Sequence, residues 1–377
     1  MSAIMQSVGS SLAGKSGSRR TSRPVYVDRL PPCNDACPAG EDIQGWLAHA
    51  EGGDYEAAWR ALTSTNPLPA TMGRVCCRPC EGACNRGRQD EAVGIGSVER
   101  FLGDEAIRRG WAFARPPKES GKSVLVVGAG PSGLSAAHHL RRGGHRVSIA
   151  EAGPLAGGTM RGGHPESRLP RDILDAEVQR ILDTGVGLTL NQPVANLRET
   201  MLAGKFDAAF LAVGANMMTG SPGIFGGGDT VPSERTVTAG VGHGRKAARH
   251  IDAWLRGGTY VQAAKRELAA FEHLNPWYYG DAPETVRPLL DAVRRKSAFG
   301  VPVNGLDETT ALFEARRCLS CGNCFECDNC YGVCPDNAVI KLGAGKRFEF
   351  DYDYCKGCGI CVAECPCGAI RMTPETL

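Results

Sequence analysis

Apolar positions along the chain follow two different periodicities. Between residues 42 and 62 they recur every three or four places: Ile43, Trp46 and Leu47, then Ala57, Ala58 and Leu62. That spacing predicts two short amphipathic helices, Asp42–Glu51 and Asp54–Leu62. After a stretch at 112–120 that is broken by Pro116-Pro117, short apolar runs alternate with longer helical patterns. The runs predict strands at Ser123–Val127, Arg146–Ala150, Gly187–Leu190, Ala208–Val213 and Gly223–Phe225. The longer patterns predict helices at Ser132–Arg142, Arg171–Thr184 and Val237–Arg256. Strands and helices in alternation predict a parallel sheet with crossover helices. Helical spacing recurs at Tyr260–His273 and Pro283–Arg295. Residues 1 to 24 are rich in Ser, Gly and Arg and predict a disordered tail, a composition that also fits an organelle transit peptide. No apolar run approaches the roughly 18 residues of a membrane span.

Charge changes this picture little. Lys+Arg 43 against Asp+Glu 41 leaves the chain nearly neutral, which argues against nonspecific nucleic-acid binding or a polybasic membrane anchor. Cysteine changes it a great deal. The 17 cysteines are odd in number, and the 377-residue chain is too long for a small disulfide-stapled fold. No secretory signal pattern stands at the start. A reducing, cytoplasmic setting is expected, with the cysteines as metal or cluster ligands. Six lie between Cys33 and Cys84 and eleven between Cys318 and Cys367.

The C-terminal group contains two complete runs: Cys324-x2-Cys327-x2-Cys330-x3-Cys334-Pro335 and Cys355-x2-Cys358-x2-Cys361-x3-Cys365-Pro366. Each has the spacing of a bacterial two-cluster ferredoxin, in which the fourth cysteine ligates the other cluster. The expected sets are Cys324, Cys327 and Cys330 with Cys365, and Cys355, Cys358 and Cys361 with Cys334. Zinc is the alternative, since C-x2-C pairs serve it too. The internal echo of Asn337-Ala338-Val339-Ile340 in Gly368-Ala369-Ile370-Arg371 favours the duplicated cluster fold.

In the central region Val124–Val127 runs into Gly128-Ala129-Gly130-Pro131-Ser132-Gly133, a helix follows, and Glu151 closes the next strand 18 residues beyond Gly133. Glycines there allow a tight turn and close approach of backbone amides to a pyrophosphate, and the acid can accept from a ribose. FAD and NAD(P) both fit that unit. Two later features favour FAD. One is a second glycine turn, Gly157-Gly158-Thr159-Met160-Arg161. The other is a strand leading to Gly228 and Asp229, where the acid can bond ribityl hydroxyls. The helix starting near Thr236 and Thr238 can then face the flavin ring.

These residues carry a resemblance. Gly128–Gly133, the stretch from Gly158 through Arg161 to Pro170, Phe206–Gly214 and Gly226–Asp229 resemble the small (beta) subunit of glutamate synthase and its relatives, dihydropyrimidine dehydrogenase among them. The C-terminal extension resembles electron-input subunits of 2-oxoacid oxidoreductases. The resemblance implies FAD in the central domain and [4Fe-4S] clusters in the N-terminal module. By the family pattern Cys37, Cys76 and Cys80 share one cluster with the carboxylate of Glu99. Two departures stand out. Only Ala215–Pro222 lies where the family inserts an NADPH-binding domain, so no NAD(P) site of the family type is expected in this chain. The family's first C-x2-C pair is replaced by Val25-Tyr26-Val27-Asp28, which leaves Cys33 and Cys84 with half a set. The pair Cys318/Cys321 looks like the missing half, and the expectation is a shared cluster of Cys33, Cys84, Cys318 and Cys321. A single N-terminal cluster, with Cys318–Cys321 merely structural, is the alternative.

The expected architecture is an α/β Rossmann-type FAD domain flanked by an N-terminal α-helical iron–sulfur module and a C-terminal α+β ferredoxin-like domain. The expected divisions are a tail at 1–24, the helical module at 25–115, the FAD domain at 121–258, a helical linker at 259–317 and the ferredoxin domain at 318–377. The expected function is electron relay between FAD and [4Fe-4S] clusters. Its partners would be other subunits of an oxidoreductase complex or a soluble ferredoxin. The alternatives are an NAD(P)H-dependent oxidoreductase of the glutamate synthase small-subunit type and a non-catalytic wiring subunit.

Overall fold

A computed structural model describes residues 15, 17, 20–212, 222–227, 235–287 and 303–375. Strand β1 (Ser22–Tyr26) leads into α1 (Pro32–Ala36), α2 (Ile43–Glu51) and α3 (Tyr55–Thr63), then α4 (Pro69–Val75), α5 (Pro79–Gly82) and α6 (Ile95–Arg108). Asp42 and Asp54 cap α2 and α3, their side chains accepting from the Gly45 and Ala57 amides. An acid in that position satisfies an amide that the first helical turn leaves without a partner. Ile43, Trp46, Leu47 and Leu62 are almost wholly buried, and they pack with Val98 and Leu102 of α6.

The central domain runs β2 (Ser123–Val127), α7 (Pro131–Arg142), β3 (Arg146–Ala150), α8 (Thr159–Gly162), α9 (Arg171–Leu182), β4 (Gly187–Thr189), α10 (Leu197–Gly204), β5 (Ala208–Leu211), β6 (Ile224–Gly226) and α11 (Val237–Leu255). Its five strands are all parallel, in the order β4-β3-β2-β5-β6. Every residue of β2 is buried, as expected for a central strand covered on both faces. Gly133 fixes how closely α7 approaches β2. A Cβ there would stand 1.9 Å from the Gly128 carbonyl oxygen. Leu68, Met72 and Val75 of the helical module belong to the same hydrophobic core as this sheet, so the two units share an interior.

The C-terminal part contains α12 (Glu308–Ala315), α13 (Asn329–Gly332), β7 (Val339–Ile340), β8 (Glu349–Phe350), α14 (Ile360–Ala363) and β9 (Ile370–Pro374). Two corrections follow. Residues 22–24, expected in the tail, are part of β1, which pairs antiparallel with β9 from Ser22↔Pro374 to Tyr26↔Ile370. The helix expected at Tyr260–His273 is absent. That segment is extended, apart from one 3-10 turn at Phe271–His273, and Leu268 bridges to Leu30. Most of its side chains are exposed, so no core face rewards an amphipathic helix. The described part of Pro283–Arg295 is also non-helical, and the rest lies outside the described residues. Among the described residues no helix is long and apolar enough to cross a membrane.

Candidate cofactor sites

At the C-terminal ends of β2 and β3 an open cavity of about 420 Å³ is lined by Gly128, Gly130, Pro131, Ser132, Glu151, Gly158 and Thr236 of the expected set. Thr159, His164 and Arg235, which the sequence did not single out, line it too. Gly128 sits at φ +101, a backbone conformation that side chains strongly disfavour. A Cβ at Gly130 would meet no protein atom within 4 Å, so this glycine leaves the loop's face toward the cavity bare. The Ser132 hydroxyl is buried without a partner. The Glu151 carboxylate accepts from the Ala129 amide at 2.7 Å and the Gly153 amide at 2.8 Å, which holds the glycine loop against the end of β3. Thr236 caps α11 by accepting from the Ala239 amide. A bare loop, an unpartnered hydroxyl and a capped helix N-terminus fit a dinucleotide phosphate.

Five residues of the expected set differ. Arg161 is absent from the lining, because its guanidinium donates to the Ala156 carbonyl at 2.8 Å and pairs with Asp175. Gly133 serves packing, as described above. Gly228 and Asp229 lie outside the described residues. Thr238 is buried and turns away from the cavity. Its hydroxyl donates to the Met72 sulfur at 3.7 Å.

The C-terminal thiols form two groups. Cys334, Cys355, Cys358 and Cys361 line one pocket. Burial raises the Cys324, Cys327 and Cys330 thiols, and the Cys365 sulfur beside them adds to the rise in each. The internal echo has a structural counterpart, since Ala338 and Ala369 each donate a backbone amide to a fourth cysteine, Cys334 at 3.2 Å and Cys365 at 3.3 Å. Two neighbours escaped the sequence reading. The Tyr26 hydroxyl and Cys330 Sγ share a hydrogen bond at 3.4 Å, and Cys367 and Cys365 share one at 3.8 Å.

In the helical module Cys37, Cys76 and Cys80 gather around Glu99. Burial pushes the Cys76 thiol up to about 11 and the Glu99 carboxylate adds to it, while the Thr238 hydroxyl opposes the shift. Burial likewise raises Cys37 and Cys80, again with Glu99 contributing. Glu99 is itself pushed well above its ordinary range, first by burial and then by the Glu41 carboxylate. One Asn66 amide donates to both acids, at 2.8 Å to Glu99 and 2.9 Å to Glu41. The buried Cys80 thiol and the half-buried Cys37 and Cys76 thiols thus share the surroundings of a buried carboxylate. Glu41 reads in sequence as an ordinary acid after a glycine turn, and only its burial reveals it.

Cys33, Cys84, Cys318 and Cys321 line a further pocket. Burial raises Cys33 well above its usual value, and Cys318, Cys84 and Cys321 add to the rise. Cys77 is exposed. Among the described residues no three of His, Cys, Asp or Glu converge closely enough to hold a single metal ion.

The helix that delivers Cys76 is gripped at both ends from the central domain. Glu177 accepts from the Ala70 amide at 2.7 Å and the Thr71 amide at 2.8 Å at the start of α4. Arg168 donates to the Arg74 and Val75 carbonyls at its end, at 3.2 and 3.5 Å.

Three family models match separate segments of the chain. Residues 6–111 match the family model for dihydropyrimidine dehydrogenase domain II, 4Fe-4S cluster, residues 126–186 an NAD(P)-binding Rossmann-like domain, and residues 323–369 a 4Fe-4S dicluster domain. The chain is 37% identical over 209 residues to the NADP(+)-dependent formate dehydrogenase subunit beta of Moorella thermoacetica, covering 48% of this chain and 29% of that protein. It is 37% identical over 191 residues to the glutamate synthase [NADPH] small chain of Mycobacterium tuberculosis, covering 49% and 38%. It is 33% identical over 194 residues to the NAD-dependent dihydropyrimidine dehydrogenase subunit PreT of Escherichia coli, covering 51% and 47%. The chain thus spans less than half the length of each of these relatives. Over about half its own length it is homologous to glutamate synthase small chains and similar oxidoreductase subunits.

Proposed function

We propose that this chain is an iron–sulfur flavoprotein subunit that relays electrons between FAD in the central cavity and [4Fe-4S] clusters on either side of it. One observation carries the reading. Thr236 lines the dinucleotide cavity, and two residues along the same helix the Thr238 hydroxyl donates to the Met72 sulfur of α4, the helix that ends at Cys76. On this reading the two cofactor sites would lie on either side of a single turn of α11.

FAD would supply a centre that takes two electrons together and releases them singly, as the junction of a hydride donor and one-electron clusters requires. The Gly128–Gly133 loop offers its amides to the pyrophosphate, with the Ser132 hydroxyl as a further donor. Glu151 holds the loop and retains acceptor capacity for a ribose hydroxyl. The N-terminus of α11 directs a partial positive charge at whatever stands over Thr236. On the cluster side, Cys324, Cys327, Cys330 and Cys365 would hold one cluster and Cys355, Cys358, Cys361 and Cys334 a second. Cys37, Cys76, Cys80 and Glu99 would hold a third, whose carboxylate ligand sets its potential apart from the other two. The partner is another oxidoreductase subunit or a soluble ferredoxin-type carrier.

A chain purified without oxygen should release FAD on denaturation and carry acid-labile sulfide with its iron. Reduced viologen should bleach cluster and flavin absorption together. A denatured supernatant free of flavin would sink the FAD assignment. A second reading follows from the NAD(P)-binding description of residues 126–186 and from the relatives named for NADPH: the chain takes hydride directly from NAD(P)H. Bleaching of the flavin by NADPH with this chain alone would establish it.

A further inference from the structure

The pair Cys318/Cys321 belongs to neither ferredoxin run, yet it is fixed with unusual firmness against the opposite end of the sequence. Arg317, almost wholly buried, donates to the Ala92 carbonyl at 2.9 Å, the Glu91 carbonyl at 2.6 Å and the Ala282 carbonyl at 2.8 Å. It also bonds Glu314 at 2.5 Å. Glu314 in turn accepts from the Gly94 amide at 2.6 Å and the Thr285 amide at 2.8 Å. A buried ion pair whose remaining donors and acceptors are satisfied specifies one geometry. Here it sets α12 on the helical module, so that the next residue, Cys318, enters the pocket that already contains Cys33 and Cys84. Pro31, Leu47, Val93 and Ile95 give that pocket apolar walls. Two donors point at its sulfurs: the Ser320 amide at Cys318 and the Asn85 side-chain amide at Cys321, each at 3.5 Å.

We propose that Cys33, Cys84, Cys318 and Cys321 are the four ligands of one [4Fe-4S] cluster, completed by a cysteine pair from the far side of the central domain. The proposal rests on the iron–sulfur reading above and extends it. Each ligand loop also reaches a neighbouring site. Cys33 is four residues from Cys37, Cys84 four from Cys80, and Cys321 three from Cys324. At ~3.3–3.6 Å per residue, such links hold adjacent ligand Cα atoms within about 14 Å of each other. The site therefore stands between the Cys37/Cys76/Cys80/Glu99 set and the Cys324/Cys327/Cys330/Cys365 set. It is the junction through which the flavin half communicates with the ferredoxin half, and it also staples the two halves together.

The test uses the full chain, isolated anaerobically, with iron, zinc and sulfide quantified per flavin. With four irons per cubane, a Cys318→Ser/Cys321→Ser chain should contain about four irons fewer than the wild type. The ferredoxin-type EPR signals should remain. Cys77→Ser and Cys367→Ser chains should keep the full iron content. Unchanged iron in the double variant, or zinc in place of the lost iron, overturns the proposal. Should the double variant fail to fold, Asn85→Ala decides. Loss of a donor to Cys321 Sγ should lower the potential of one cluster and leave the others in place, and a chain in which no potential moves overturns the assignment. A wild-type chain with no iron at all would fail the iron–sulfur reading itself, an outcome distinct from either of these.

Discussion

Removing the Glu177 carboxylate tests whether the central domain holds the cluster-bearing helix in place. Glu177 is wholly buried and accepts two backbone amides at the start of α4, the helix that ends at Cys76. Hydrogen bonds to a charged group contribute roughly 1.5–3 kcal/mol each. Burial offsets part of this, since it pushes the Glu177 carboxyl up from 4.5 to about 6, which corresponds to about 2 kcal/mol. The net loss in Glu177→Ala is then about 1–4 kcal/mol, or roughly a 5- to 900-fold rise in local opening. Native-state hydrogen exchange at the Ala70 and Thr71 amides reads this directly. Exchange within threefold of the wild type would refute the reasoning. The pH dependence has a definite sign. A carboxyl raised in the fold binds its proton more tightly there than in the open state, so its contribution is full below 4.5 and is lost as pH rises through about 6. The deficit of the alanine variant should therefore widen as pH falls across that window. Iron at the Cys37, Cys76 and Cys80 site should become more accessible to chelators in the same variant.

Three further outcomes are expected. Arg168→Ala, which removes longer hydrogen bonds at the other end of α4, should cost under about 1 kcal/mol by the same exchange measurement. Tyr26→Phe removes the hydroxyl that shares a hydrogen bond with Cys330 and should move one ferredoxin-type cluster to a more negative potential in a spectroelectrochemical titration. Gly133→Ala would drive a Cβ to within 1.9 Å of the Gly128 carbonyl oxygen, and it should yield protein that retains iron but releases no flavin on denaturation.

Local covalent spacing and strongly periodic segments were readable from sequence. β2 and β3 begin and end where their apolar runs do, because glycine turns bound them and both are covered by helices. The two cysteine runs announce a dicluster domain because each fixes its four cysteines within a dozen residues. The rest depended on distant partners. Ser22, Arg23 and Pro24 have little strand preference of their own and become a strand because β9 offers an unpaired edge. The helical spacing at Tyr260–His273 lost to an extended path that pairs Leu30 with Leu268. Arg161 belongs to the second glycine turn in sequence, but in the fold it pairs with Asp175. Glu41, Glu177 and Glu314 resemble surface acids in sequence, and only the fold shows each of them buried.

The pairing of β1 with β9 has a consequence for biogenesis. A ribosome delivers Tyr26 long before Ile370, so β9 has its partner waiting while β1 must stay single for most of synthesis. Contacts this remote in sequence form late and slowly. Maturation of the ferredoxin half is therefore expected to follow release of the chain. Any shortened version that lacks residues 22–26 will carry a bare sheet edge, the kind of surface through which chains adhere to one another.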